Sequence, residues 1–357
     1  MSRKPIMIMA GGTGGHVYPG LAVANYLHGK GIPLLWLGTS RGLEAKVVPD
    51  CGYQLLTINI SGLRGKGIFK WLLAPVAVLV AIMQSIIIFI QRKPAAVLGM
   101  GGFVSGPGGI AAWLLRIPLC IHEQNAIAGL TNRKLEPLAH TVMAAFPGTF
   151  RASIKTSITG NPVRDEILNV QKKVYSNDSP IRLLILGGSL GARALNEIIP
   201  ETLAILPGSV KYEIKHQTGE KLFTETRLHY DSLNVSAELI PFIENMAEVY
   251  SWADIVICRA GASTISELAA VGIASILVPF PFAVDDHQTA NAGYLSDNGA
   301  ALLYQQSELT REKLAELICE FFHSRERLQT MADAARDQSK PGATQHISEL
   351  CLEAAYA

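Results

Sequence analysis

His16 follows directly on Gly11-Gly12-Thr13-Gly14-Gly15, a glycine run between a short apolar stretch and a helix-length segment. An imidazole at a helix start can take a proton from an attacking hydroxyl, and the positive helix end favours its neutral, proton-accepting form. The glycines have a chemistry of their own: small residues let backbone N–H groups approach an anion at a helix N-terminus, which makes a phosphate cradle. Comparable turns occur at residues 99–109 and at Gly187-Gly188-Ser189-Leu190-Gly191. One such turn fits tight strand–helix packing equally well. Three in one chain argue for anion binding.

Polar residues gather at the ends of other apolar runs. His122-Glu123-Gln124-Asn125 offers a concentrated set of groups to a sugar, with Glu123 a rival to His16 as the base. Gly261-Ala262-Ser263-Thr264-Ile265-Ser266-Glu267 opens a helix after a strand. A carboxylate at Glu267 suits a ribose diol, because each oxygen can take one hydroxyl hydrogen. Thr264 with Glu267 three residues on equally reads as a capping box. Asp285-Asp286-His287-Gln288 supplies Gln288 as a partner for sugar hydroxyls. Its adjacent carboxylates tend to diverge, which fits a solvated loop and helix start better than a metal site.

The dinucleotide fingerprint fails. Gly12-x-Gly14 is followed by Val17 where a third glycine belongs, and the second strand ends Trp36-Leu37-Gly38-Thr39 without the acid that would hold a ribose. The second half ends its corresponding strand Lys215-His216-Gln217, again without an acid. Gly62-Leu63-Arg64-Gly65-Lys66-Gly67 lacks both the spacing and the hydroxyl of a nucleoside-triphosphatase loop.

The elements that position these residues alternate between short apolar runs and helix-length segments, the pattern of parallel sheets covered by helices. Strands are expected at 5–10, 34–38, 55–60, 95–100, 118–122 and 141–146, then at 182–186, 212–216, 237–241, 254–258, 275–279 and 300–304. The chain of 357 residues therefore reads as two Rossmann-like, doubly wound α/β domains. The boundary falls after Gly160-Asn161-Pro162-Val163, giving 1–163 and 164–340. A last helix within 341–357 is free to pack back on the first domain.

Lys and Arg (31) balance Asp and Glu (30), so no global field draws nucleic acid. The five cysteines show neither C-x-x-C nor Cys/His spacing, so a reducing compartment and no structural zinc are expected. The apolar run Ile6-Met7-Ile8-Met9 is too short for a signal peptide, which points to the cytoplasm. One segment departs from this picture. Residues 71–90 are nearly all apolar, long enough to span a bilayer, and are flanked by Arg64, Lys66 and Lys70 on one side and Arg92 and Lys93 on the other. A span, a buried core helix and a helix lying in the membrane interface all stand; the last uses both the side chains and the cations.

Taken together, the motifs resemble those of the peptidoglycan N-acetylglucosaminyltransferase family that converts lipid I to lipid II. The likeness runs over nearly the whole chain. It is carried by Gly11-Gly12-Thr13-Gly14-Gly15-His16-Val17-Tyr18-Pro19-Gly20, Ile60-Ser61-Gly62-Leu63-Arg64-Gly65-Lys66-Gly67, Gly99-Met100-Gly101-Gly102-Phe103-Val104-Ser105-Gly106-Pro107-Gly108-Gly109, His122-Glu123-Gln124-Asn125, Gly160-Asn161-Pro162-Val163-Arg164 and Gly187-Gly188-Ser189.

The resemblance implies a GT-B fold, with two domains facing across a cleft, the UDP-N-acetylglucosamine held mainly by the C-terminal one and the lipid acceptor by the N-terminal one. It implies that Thr13, Gly14, Gly15 and Asn125 lie near the reacting sugar and diphosphate, and that Arg164 and Ser189 hold the phosphates. Ile243 would meet the uracil. Ala262, Ser263, Thr264, Ile265, Ser266 and Glu267 would bind nucleotide and ribose, and Gln288 the N-acetylglucosamine hydroxyls. Gly102, Ser105 and His122 fall to the acceptor. Leu190 stands where the family often has Gln, so the amide of that family position is absent here while the backbone donors survive. The implied reaction is an inverting, metal-independent transfer to the muramyl 4-hydroxyl at the cytoplasmic face of the inner membrane. Residues 64–93 would meet anionic lipid, alongside other cell-wall-synthesis proteins. The alternatives are a related UDP-sugar transferase, a UDP-N-acetylglucosamine epimerase and a non-catalytic membrane-binding module.

Overall fold

The computed structural model describes residues 3–60, 74–175, 179–188 and 190–356. They form two compact units. One runs from the N-terminus through Val163 and resumes at Lys340; the other is Arg164–Ser339.

The first unit carries a parallel sheet of seven strands: β1 (Ile6–Met9), β2 (Leu34–Gly38), β3 (Leu55–Thr57), β4 (Ala96–Gly99), β5 (Leu119–Glu123), β6 (Thr141–Ala144) and β7 (Thr156–Ile158). Their order is β3-β2-β1-β4-β5-β6-β7. Ile6, Met7, Ile8 and Met9 are fully buried, as expected of a central strand covered by helices on both faces. The sequence reading has six strands here. The seventh, Thr156-Ser157-Ile158, is three residues at the sheet edge with two hydroxyls, too short and polar to register as an apolar run.

The second unit repeats the plan with β8 (Ile181–Leu186), β9 (Tyr212–Gln217), β10 (Glu238–Ile240), β11 (Ile255–Cys258), β12 (Ala274–Leu277) and β13 (Ala301–Leu303), in the order β10-β9-β8-β11-β12-β13. In each sheet the strand order reverses once, between β1 and β4 and between β8 and β11. Ligands of doubly wound sheets bind beyond the carboxyl ends of the strands at such a reversal. The register pairs Met9 with Gly99 and Leu186 with Cys258, so the turns that leave these strands emerge side by side.

Two helices extend this frame. The helix Ala343–Tyr356 packs on the helix Gly14–Gly29 of the first unit, burying Ile347 and Cys351 completely, and the Tyr356 phenol donates to the Lys4 carbonyl at 2.6 Å. The helix Ala74–Arg92 packs against the helix Gly102–Leu114 through a stripe of Ala74, Ala81, Ser85 and Phe89. Its opposite stripe, Val76, Leu79, Val80, Met83, Ile87 and Ile90, is exposed. Arg64, Lys66, Lys70 and Trp71 of this segment lie outside the described residues.

Each unit also buries one histidine completely. His122 is the penultimate residue of β5, and His216, near the end of β9, hydrogen-bonds the Tyr230 hydroxyl at 2.9 Å and Asn196 Oδ1 at 3.0 Å. Burial disfavours their charged forms and lowers His122 to about 4 and His216 to about 3. The unfolded chain, with ordinary histidines, therefore binds protons that the folded chain refuses. The stabilisation is complete above the unfolded histidine pKa and is lost as pH falls from there through the folded values. Below pH 6.5 the cost of each histidine should steepen toward about 1.4 kcal/mol per pH unit near pH 5. Denaturant unfolding at a series of pH values in this window checks it; midpoints that do not move would refute it.

Candidate active site

The glycine turn after β1 is held from below. Gly12 N–H donates to Glu44 Oε2 at 2.9 Å, while Thr39 N–H and its hydroxyl donate to Oε1 at 3.0 and 2.7 Å. Glu44 is fully buried. The sequence reading missed this residue. Its signal was present: the acid absent from the end of β2 reappears six residues after Gly38, folded back onto the glycine turn instead of toward a ribose. Thr13 caps the helix Gly14–Gly29 through an extended backbone and leaves its side chain exposed. The first-turn N–H groups of Gly14 and Gly15 have no intrahelical acceptor, so they can meet an anion.

The turn after β4 closes over the first. Gly102 has φ +80, and a Cβ there would collide with the Gly11 carbonyl, so only glycine fits. Ser105, assigned to the acceptor, is fully buried. Its hydroxyl bonds the Met9 and Gly101 carbonyls and accepts Gly101 N–H, so it ties β1 to β4 and cannot reach a ligand.

At the end of β5 the four polar residues separate into different roles. His122 is sealed inside, with Nε2 bonded to the Gly160 carbonyl at 3.0 Å, which removes it as an acceptor contact. Glu123 is 3% exposed and accepts from Asn125 N–H, Asn125 Nδ2, Gly129 N–H and Asn132 Nδ2, all within 3.1 Å. Its lone pairs are spent on shaping the 125–132 loop, which excludes it as the rival base. Asn125, held by Glu123, remains half-exposed. Gln124 Oε1 meets His16 Nδ1 at 2.9 Å, and His16 is half-buried at the helix start beside Gly101.

In the second unit Gly188 and Gly191 turn the chain after β8 into the helix Arg193–Ala204, with φ of +76 and +77. Ser189 lies outside the described residues, and Leu190 is 78% exposed. After β11, Gly261 caps the helix Ala262–Val271, so Thr264 sits inside its first turn and the expected capping box does not form. Glu267 is engaged elsewhere: the buried Tyr250 hydroxyl donates to Oε2 at 3.0 Å and Arg164 Nη2 approaches Oε1 at 3.4 Å. Burial raises the Glu267 pKa, against the pull of Arg164 and Tyr250. Ser263, Thr264 and Ser266 are half-exposed, whereas Ala262 (8%), Ile265 (0%) and Ile243 (6%) point inward and offer a ligand chiefly backbone.

Gln288, in the first turn of the helix His287–Ser296, accepts Phe280 N–H through Oε1 at 2.9 Å. The same strand end is braced by Arg259, a residue the sequence reading passed over, which donates to the carbonyls of Val278 and Pro279 and to Gln306. Asp285 and Asp286 adopt left-handed backbone, and Asp286 Oδ1 accepts the Thr289 hydroxyl. Among the described residues no three His, Cys, Asp or Glu side chains converge on a point that could hold a metal ion.

Residues 6–144 match the glycosyltransferase family 28 N-terminal domain, and residues 182–347 match the family's C-terminal domain. The chain is 50% identical over 353 residues to a UDP-N-acetylglucosamine–N-acetylmuramyl-(pentapeptide) pyrophosphoryl-undecaprenol N-acetylglucosamine transferase of Nitrosococcus oceani, covering 98% of both chains. A protein of the same name from Methylococcus capsulatus is 50% identical over the full length of both. The crystal structure of Acinetobacter baumannii MurG superposes with a TM-score of 0.86 at 42% identity, covering 98% of this chain and 99% of that one. A UDP-GlcNAc 2-epimerase from Neisseria meningitidis, at 15% identity and a TM-score of 0.68 with 98% and 99% covered, shares the fold alone.

Proposed function

Because this chain belongs to glycosyltransferase family 28, we propose that it joins N-acetylglucosamine to the 4-hydroxyl of the muramyl sugar of lipid I in one inverting, metal-independent displacement. It is a glycosyltransferase that uses UDP-N-acetylglucosamine, and its product is lipid II. The observation that carries the finer reading is the half-buried imidazole of His16 at the helix start after β1, beside the glycine turns at the strand-order reversal of the first sheet. The acceptor hydroxyl gives its proton to His16 as its oxygen attacks the anomeric carbon, and the bond to UDP breaks on the opposite face. Charge builds on the departing diphosphate. Arg164 and the helix starts after the glycine turns stabilise that charge, the work a divalent ion would otherwise do. Glu267 takes the ribose hydroxyls and Gln288 the sugar.

The test uses purified full-length protein, labelled UDP-N-acetylglucosamine and a lipid I analogue, with and without chelator. Labelled lipid product with a β-1,4 linkage is expected in both arms. No product overturns the reading, an α-linkage overturns inversion, and loss on chelation overturns only the metal-free part.

The same reading places the protein on the cytoplasmic face of the inner membrane, bound peripherally. Support comes from the exposed stripe of the helix Ala74–Arg92 and from Phe103, Trp113 and Leu114 on the helix beside it, each about half exposed. Apolar side chains next to Arg92 and Lys93 suit an anionic bilayer surface. Replacing Met83 and Ile87 together by Glu should abolish sedimentation with anionic phospholipid vesicles while leaving turnover of a soluble lipid I analogue intact. Undiminished sedimentation would reject this surface.

A further inference from the structure

We propose that Gln124 and His122 are positioning residues that dictate which nitrogen of His16 carries the proton, through a hydrogen-bond chain anchored on the Gly160 carbonyl. The proposal rests on the reading of His16 as the base and explains what makes it one.

The chain has a single consistent arrangement of protons. Gly160 O can only accept, so His122 Nε2, 3.0 Å away, must donate. His122 is fully buried, and burial outweighs the opposing effects of the Gly160 bond and of Glu123 to keep the ring neutral. Its Nδ1 is therefore a lone pair, which fixes the amide of Gln124: the NH₂ group faces His122 Nδ1 at 3.1 Å and the His122 carbonyl at 3.3 Å. The amide oxygen is left toward His16. Oε1 can only accept, so His16 Nδ1, at 2.9 Å, carries the hydrogen.

A neutral His16 then has its lone pair on Nε2, which has no hydrogen-bond partner among the described residues. Neutral histidine in water favours the other tautomer, with the proton on Nε2, a form that could not take a proton there. The relay reverses that preference.

Two carboxylates of this unit are held by other partners. Glu123 is occupied by Asn125, Gly129 and Asn132, and Glu44 by Gly12 and Thr39. Gly101 lies against the ring of His16, where a Cβ would come within 2.9 Å, and Asn161 Nδ2 holds the Gln124 carbonyl at 3.0 Å. The 160–161 segment thus fixes both the backbone of Gln124 and the polarity of its side chain.

The experiment has a spectroscopic and a kinetic arm. In the full-length protein labelled with ¹⁵N-histidine, long-range ¹H–¹⁵N correlations should show His16 protonated on Nδ1 and His122 on Nε2. Gln124→Leu should lower kcat about 10- to 100-fold, the usual worth of a residue that orients a ligating or catalytic histidine, with little change in either KM. In a His16→Ala background the same change should cost nothing further, because Gln124 acts only through His16. His16 protonated on Nε2 in the wild type, or an equal loss from Gln124→Leu in both backgrounds, overturns the relay. If Gln124→Leu does not fold, the wild-type tautomers decide. Full activity in His16→Ala would instead overturn the base reading, and the nitrogen shifts would still judge the relay.

Discussion

Replacing His16 by alanine is expected to lower kcat about 10²–10⁴-fold, the range contributed by a well-placed general base. KM for UDP-N-acetylglucosamine should stay close to that of the wild type, since the nucleotide is assigned to the second domain. Thermal stability should change little, because the imidazole is only half-buried and its one hydrogen bond among the described residues is to Gln124. Steady-state rates on a lipid I analogue, with both substrates varied, separate these effects. An unchanged kcat would remove His16 from the mechanism. Glu123, the rival base, is already committed to four donors.

The second large effect concerns the donor. Glu267→Gln should raise KM for UDP-N-acetylglucosamine about 10- to 100-fold, because hydrogen bonds to a charged group contribute about 1.5–3 kcal/mol. The amide keeps an oxygen for the buried Tyr250 hydroxyl, so the fold is spared, but it loses the charge facing Arg164. Arg164→Ala should act on kcat instead, by roughly 2–3 kcal/mol, through the leaving diphosphate. The pH dependence follows from the same site. Glu267 titrates above the ordinary carboxylate range, so donor affinity should weaken on acidification before exposed carboxylates begin to protonate. Isothermal titration with UDP across the acidic range checks this; affinity that is flat until the ordinary carboxylate range would refute the assignment.

Much of the architecture was legible because its signals are local. Every expected strand forms, since a parallel sheet buried on both faces demands continuous apolar runs such as Ile6-Met7-Ile8-Met9. The edge strand at Thr156–Ile158 escaped because two of its three residues are polar. Nothing in the composition of the last helix told which unit it joins; the burial of Ile347 and Cys351 against the first did.

The candidate site was only partly legible. The glycine turns fixed its location, because only glycine accepts φ near +80 against a neighbouring carbonyl, and that requirement is written into residue identity. The work of each polar side chain was not written there. His122, Glu123 and Gln124 are consecutive, yet one anchors a relay on Gly160, one shapes a loop and one orients His16. Glu44 drew no notice in the sequence and proves to be the brace of the first turn. The sequence by itself determined the two sheets and the glycine turns at their strand ends. Only the tertiary structure decided which polar residues are sealed, paired or left to react, because the charge and proton of a side chain depend on burial and on partners tens of residues away.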